Sequence, residues 1–257
     1  MKKISGLVIT YNEEKNIEDC LHSMFLVCDD VIVIDSYSKD DTVKLAKKMG
    51  AVVIQQNYLG DGEQRNFGLQ YCKHNWVLNL DADERLDSDF VTTIKSLDLD
   101  NTTYDAFEFK RKNFFNGKWI RYAGWYPDYV RRLFNKTKTN FKQIKVHTKI
   151  LSNNFKQLDA NIIHYTYDSI EEMITKLNSY STWSAQELLK KKRKVYAFTP
   201  ILHGLFSFIK FYFLKLGFLE GLDGLTICIA KSMASYLKYA KLIELQKKVR
   251  DETTFYK

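Results

Sequence analysis

The stretch Trp76-Val77-Leu78-Asn79-Leu80-Asp81-Ala82-Asp83-Glu84 decides how the rest of the chain is read. A short, largely apolar run of strand length ends abruptly in three carboxylates. Asp81 and Asp83 stand two apart, and residues two apart on extended backbone share a face, so both carboxylates are expected on one side. Two hard oxygen donors at a strand end suit Mg²⁺ or Mn²⁺ held against a diphosphate. There the ion neutralises charge developing on a phosphate leaving group. An Asp-x-Asp alone is common in surface loops, so its neighbours must decide.

Upstream, two hydrophobic periods alternate. Residues 4–11 form a short β-rich run and residues 16–26 carry Ile17, Leu21, Met24 and Phe25 at helical spacing. Residues 31–35 are β-branched up to the terminal Asp35, and Ser38 to Asp41 begins a helix that Gly50 ends. Residues 51–55 are a third strand, residues 62–73 a third helix, and residues 76–80 the fourth strand. This alternation predicts a parallel sheet covered on both faces, whose ligands bind beyond the carboxyl ends of the strands. Thr10-Tyr11-Asn12-Glu13, Asp35-Ser36 and Asp81 to Glu84 all fall at such ends.

Downstream the pattern changes. Residues 104–167 are rich in aromatic and β-branched residues, with an Asn116-Gly117 turn signal and a strand-like run at 130–134, so they predict an antiparallel extension of the sheet. Arg131 and Arg132 alternate there, so at most one faces the site. Beyond Ser169 the chain reads as helical: residues 170–189, the basic run Lys190 to Lys194, and two apolar helices over 201–219 and 222–245. The division expected is a catalytic domain over 1–167 and a helical, basic and apolar region over 168–257.

The formal charge is +8 over 257 residues, unevenly spread. Residues 1–100 hold 11 Lys/Arg against 18 Asp/Glu; residues 101–257 hold 28 against 13. The acidic half suits a cation and the basic half an anionic partner. Apolar helices accompany the basic charge and no nucleic-acid motif is present, which favours an anionic membrane surface over nucleic acid. Five clustered cations predict binding to anionic vesicles that salt reverses. No run reaches the roughly eighteen apolar residues of a spanning helix, and the N-terminal apolar run is too short for a signal sequence. The expected place is the cytoplasm, peripheral on the cytoplasmic face of the inner membrane. Cys20, Cys28, Cys72 and Cys228 lack zinc or redox spacing and read as small buried residues.

Several functions are excluded by position. A nicotinamide-dependent dehydrogenase needs a glycine-rich first turn, and Thr10 to Glu14 offers no glycine. A sugar-1-phosphate nucleotidyltransferase wants a basic, glycine-rich loop there. A phosphatase with an Asp nucleophile places its Asp pair after the first strand, not the fourth.

The runs Ile9 to Glu14, Val33 to Ser36 with Asp40-Asp41-Thr42, and Leu80 to Glu84 resemble family 2 glycosyltransferases with the GT-A fold. Gly60 to Asn66, Gly124 to Asp128, Arg131 to Phe134, Val146-His147 and His164-Tyr165 are similar to a bacterial branch that includes lipopolysaccharide core β-1,4-glucosyltransferases. The resemblance covers nearly the whole chain. It implies an α/β, Rossmann-like, mostly parallel sheet with an antiparallel extension and a helical tail. It further implies an inverting transfer of a hexose, glucose by analogy, from a UDP-sugar to a lipopolysaccharide-core or other lipid-linked glycan. Thr10, Tyr11, Asn12, Glu13, Asp35 and Ser36 would line the nucleotide pocket, with Arg65 near the diphosphate and Asp81 and Asp83 as the metal and sugar-nucleotide pair. Asp128 is the first choice for general base and Glu84 the second. Trp125, Tyr126, Arg131 and His147 are candidate acceptor contacts. Thr148 departs from the branch, which often has Glu after the Val-His pair. The competing reading is a catalytically impaired scaffold that binds an anionic partner.

Overall fold

Consecutive residues of the first strands bury against opposite layers. In the computed structural model, which describes residues 3–143 and 148–255, Val8, Val33, Leu78 and Leu133 join one apolar cluster. Leu7, Ile32, Val77 and Phe134 join another. This period of two, with both faces apolar, specifies a sheet covered on both sides. The first cluster includes residues of α1 (Ile17–Phe25), α2 (Thr42–Lys48) and α4 (Ser88–Ser96). The second is packed by Phe67 and Leu69 of α3 (Asp61–Leu69). Gly68 lets α3 lie close to the sheet: a Cβ there would meet Leu7 Cδ1 at 2.5 Å.

Two compact units result. The first comprises Met1–Lys112 and Pro127–Tyr165, the second Asn113–Tyr126 and Thr166–Lys257. The strands are β1 (Ile4–Thr10), β2 (Asp30–Asp35), β3 (Val52–Gln55), β4 (Trp76–Asp81), β5 (Glu84–Leu86), β6 (Ala106–Phe115), β7 (Lys118–Trp119), β8 (Asp128–Asn135) and β9 (Phe155–Tyr167). Their order is β3-β2-β1-β4-β8-β6-β9-β5, with β7 paired to β6. The first four are parallel, and β8 runs antiparallel to both β4 and β6. The result is a Rossmann-like, mostly parallel sheet with an antiparallel extension and a helical C-terminal region, the GT-A-like arrangement. Because β2 and β3 lie to one side of β1 and β4 to the other, the crevice between β1 and β4 is the topological switch point, where such sheets bind ligands.

In the second unit, Phe115, Ile120, Ala123 and Trp125 pack with Met173 of α5 (Ile170–Lys190) and with Ile227, Cys228 and Ala230 of α7 (Gly221–Phe255). Asn116 and Gly117 both adopt positive φ, 48° and 75°, as the tight turn between β6 and β7 demands. Ser169 caps α5 by accepting from the Glu172 amide at 3.1 Å. The single apolar helix expected over 201–219 is instead α6 (Thr199–Ile209), a π-helical turn at Lys210–Leu214 and a 3₁₀ turn at Gly217–Glu220. Leu216 breaks it with a left-handed φ of 54°. Among the described residues no helix is long and apolar enough to cross a membrane. All four cysteines are buried and free, and burial pushes the Cys72 thiol up to about 12.

Candidate active site

The parallel register places Thr10 opposite Asp35 and Ile9 opposite Asp81, so the carboxyl ends of β1, β2 and β4 form one rim. On the β1–β2 side Thr10 is buried, and its Oγ1 has no hydrogen-bond partner among the described residues. A buried hydroxyl without a partner is unfavourable unless a ligand or water completes it. Asp35 has none of its surface exposed; it accepts from the Ser38 amide at 3.0 Å, from the Ser38 hydroxyl and from Gln55 Nε2 at 3.2 Å. Ser36 Oγ accepts from Gln64 Nε2 at 3.3 Å.

Asn12 and Glu13 are used to join loops. Asn12, at φ 55°, accepts from the Lys39 amide at 2.8 Å and donates its own amide to Ser38 Oγ at 2.8 Å. The Glu13 amide donates to Thr42 Oγ1 at 2.8 Å, and its carboxylate accepts from Asn16 at 2.9 Å. Tyr11 is half exposed at the rim.

At the β4 end seven side chains form a chain of alternating charge: Asp61, Arg65, Asp81, Arg132, Glu84, Arg111 and Asp128. Arg65 Nε donates to Asp61 at 2.9 Å, Nη1 to Asn79 Oδ1 at 2.8 Å and Nη2 to Asp81 Oδ1 at 2.6 Å. Arg132 Nη2 donates to Asp81 Oδ2 at 2.6 Å and to Glu84 Oε1. Arg111 Nη1 donates to Glu84 Oε1 at 3.0 Å, while its Nε and Nη2 both donate to Asp128 Oδ2, at 2.9 and 2.7 Å. Glu84 Oε2 in turn accepts from the Asp81 amide at 3.1 Å. Four carboxylates against three guanidiniums leave one net negative charge.

Burial alone would raise the Asp81 carboxyl, but the Arg132 and Arg65 guanidiniums outweigh it and hold it well below the usual carboxylate range. The linked stability has a definite sign. A depressed folded-state value adds stability above the unfolded value, about 4, and that stability is lost as pH falls through the folded value. The urea midpoint is therefore expected to fall below about pH 4, with a shallower acid limb in Asp81→Asn. An identical acid limb in that variant would mean that Asp81 does not titrate in this way.

The strand that carries the pair ends sooner than the spacing implied. β4 stops at Asp81, and Ala82-Asp83 is a tight turn into β5. The shared-face argument therefore does not extend to Asp83, whose Oδ2 lies 3.4 Å from His164 Nε2. No group of three or more His, Cys, Asp or Glu is placed to hold a metal among the described residues. Both Asp81 oxygens accept from guanidiniums, a poor setting for a cation. Asp83 is the carboxylate of the pair that suits a hard divalent ion, since such ions commonly take one or two carboxylates and complete their shell with phosphates and water.

The strand places Arg132 among the carboxylates. Arg131 points elsewhere: its Nη1 donates to the Ser152 carbonyl at 2.5 Å, its Nε lies 3.4 Å from Glu108, and its guanidinium covers the Phe155 ring. Trp125 is a core residue of the second unit, against Phe115 and Tyr167. Tyr126 sits edge-on to Trp119 at 5.3 Å. His147 lies outside the described residues. Thr148 supports the far end of the charge chain, its amide donating to Asp61 Oδ2 at 2.8 Å. Arg111, Asp61 and Asn79 were not among the expected site residues. Signals for two of them existed: Asp61 and Arg65 are spaced i, i+4 on a helix, and Asn79 interrupts an apolar strand.

A Rossmann-like sheet with a carboxylate-rich rim at its switch point is the arrangement of a GT-A-like α/β protein. The chain belongs to glycosyl transferase family 2, whose profile matches residues 5–161, and glycosyl transfer is the reaction this membership supports. A relative from Rickettsia typhi, named only as an uncharacterized glycosyltransferase, is 33% identical over 98% of this chain and 90% of its own. The lipopolysaccharide core biosynthesis glycosyltransferase LpsC of Rhizobium meliloti is 26% identical over 94% and 92%. Among solved structures, S. aureus TarS 1-349 in complex with UDP is 17% identical, covering 96% of this chain and 92% of that one at a TM-score of 0.49.

Proposed function

We propose that the protein transfers a hexose, glucose by family resemblance, from a UDP-sugar to a lipopolysaccharide-core or other lipid-linked glycan, with inversion at the anomeric carbon. The observation that carries this reading is the rim itself: a buried Thr10 hydroxyl with no partner among the described residues and the buried Asp35 on one side of the switch point, and the alternating charge chain ending in Asp128 on the other. The lipid-linked acceptor rests on the likeness to LpsC, and a place on the cytoplasmic face of the inner membrane rests on the basic, apolar C-terminal region of the chain.

In this reading Thr10 contacts the nucleoside and Tyr11 and Ser36 border it, while Asp35, with no exposed surface and both oxygens used, positions Ser38 and Gln55 around it. Asn12 and Glu13 keep the two loops in register around it. Arg65 and Arg132 fix Asp81 at the end of β4, and the sugar-nucleotide meets a preorganised edge. Asp83 would hold Mg²⁺ or Mn²⁺, which when bound neutralises charge on the departing diphosphate. Asp128 takes the proton of the acceptor hydroxyl as that oxygen bonds to the anomeric carbon and the bond to the UDP oxygen breaks. Arg111 orients Asp128 by bonding one of its oxygens twice. Glu84, with no exposed surface and both oxygens used, orders Arg111 and Arg132 and is a poor candidate for a base that must meet substrate.

Thermal melts with UDP and Mn²⁺ or Mg²⁺ test the donor half. A ligand at a hundred times its Kd is expected to stabilise the folded state by about 2.7 kcal/mol. A screen of UDP-hexoses for slow hydrolysis then identifies the sugar without the acceptor. No shift, together with no UDP released from any UDP-hexose, would overturn the reading.

A further inference from the structure

Helix α6 is inside out. Its buried positions are the small or polar Pro200, Gly204 and Ser207, and they face α7. Ser232 Oγ donates to the Gly204 carbonyl at 2.8 Å, and His203 stacks on Tyr239 at 4.1 Å. His203, Gly204 and Ser207 thus lie on the less exposed side of the helix. The large apolar residues point to solvent: Leu202, Leu205 and Phe206 are 55%, 56% and 61% exposed. The pattern continues past the helix. Phe208, Phe211 and Tyr212 pack inward on the core of this unit, whereas Leu214 and Leu222 are 70% and 77% exposed. A soluble helix hides such side chains, and a contiguous apolar surface of this kind marks an interaction site.

We propose that residues 196–222 form a monotopic wedge that inserts into the headgroup–acyl boundary of an anionic lipid bilayer. Charge selects this occupant. From Leu188 to Leu219 the chain has seven cations (Lys190, Lys191, Lys192, Arg193, Lys194, Lys210 and Lys215) and no Asp or Glu. A second copy laid on this face would bring like charges together, while an anionic leaflet complements them. Lys210 and Lys215 are exposed among the apolar residues, and their long stems let the ammonium groups reach the headgroups while neighbours insert. A cleft of about 540 Å³ lined by Lys192, Arg193, Lys194 and Tyr196 among others lies beside the wedge and suits a lipid phosphate. Tyr196 and Phe198, stacked with ring centroids 5.9 Å apart, supply the aromatic character common at the water–lipid boundary.

The wedge differs from the salt-reversible attachment expected from the lysine run alone. Insertion of apolar side chains is not screened by salt, so much of the binding should survive it. The inference concerns the second unit and stands whether or not the donor chemistry is as proposed.

The test uses the full chain and sedimentation with phosphatidylethanolamine/phosphatidylglycerol vesicles, with phosphatidylcholine vesicles for comparison, at 0.1 and 1 M NaCl. Wild type is expected to pellet with the anionic vesicles and to stay largely bound at 1 M NaCl. Phe206→Glu and, separately, Leu214→Glu should each weaken partitioning at least tenfold without changing the thermal melt. Exchange of the five cations 190–194 for Gln should reduce the preference for anionic lipid, with Lys210 and Lys215 remaining, and leave the salt-resistant part. Donor hydrolysis in lipid-free buffer should be the same in all variants. Sedimentation equilibrium without lipid supplies the opposing outcome. A tight dimer that Phe206→Glu dissociates, with no vesicle binding, would assign the face to a second copy and overturn the wedge. A monomer that ignores vesicles, or that releases completely at 1 M NaCl, would overturn it as well.

Discussion

Replacing Arg132 with Met is expected to destabilise the first unit by about 3–5 kcal/mol and to abolish turnover. Arg132 is 8% exposed and joins two carboxylates, Asp81 and Glu84. Glu84 has no exposed surface, so deleting Arg132 leaves a buried charge supported by Arg111 and the Asp81 amide. That orphaned charge, more than the lost attraction, sets the size of the effect. Two variants separate these contributions. Arg131→Met, one residue away on the opposite face, should have a distinctly smaller effect. Glu84→Gln added to Arg132→Met should recover part of the loss, because the orphan is then neutral. Urea unfolding followed by circular dichroism reads all three. A wild-type midpoint in Arg132→Met would show that the alternating charges stabilise nothing.

The parallel half of the fold was legible because local period and tertiary burial agree there. β1, β2, β3 and β4 lie within a residue or two of their expected limits, since each is a short apolar run bounded by turn residues; β1, β2 and β4 are buried on both faces, while β3 is a partly exposed edge strand. β5 and α4 were not expected. Glu84-Arg85-Leu86 looks like the tail of an acidic loop, and its charged residues are buried because β9, some eighty residues later, pairs with it and Arg111 and Arg132 meet Glu84. Such burial of Glu and Arg is set by non-local partners that no sequence period records.

The site was legible in its carboxylates and obscure in its arginines. Asp81, Asp35 and Asp128 stand at strand ends or turns, where chemistry gathers. Arg111 lies in the run Lys110-Arg111-Lys112, which reads as a solvated strand face. Its role appears only when β8 brings Asp128 opposite it, in a register that shifts between Phe107 and Glu108. The alternation of Arg131 and Arg132 allowed at most one to face the site; Arg131 was the one expected there, and the register puts Arg132 among the carboxylates instead. In α6 the inward direction of His203 and Gly204 depends on Ser232 and Tyr239 of α7, which no local period records.

Asp128→Ala and Asp83→Ala should both silence transfer, and in different ways. Asp128 is about one-third exposed at its side chain, and its partner Arg111 keeps a second anchor on Glu84. Its loss should therefore leave the fold and the affinity for UDP near wild type. Loss of a general base lowers kcat by about 10²–10⁴-fold, with little change in donor KM. Asp83→Ala should act on the ground state: metal-dependent stabilisation by UDP should weaken, while UDP without metal binds as before. Titration calorimetry with and without Mn²⁺, beside a turnover assay, distinguishes the two. The stronger constraint falls on Asp128. Near-normal turnover in Asp128→Ala would place the base elsewhere, and Glu84, buried and doubly bonded to guanidiniums, would then have to leave its pocket to act.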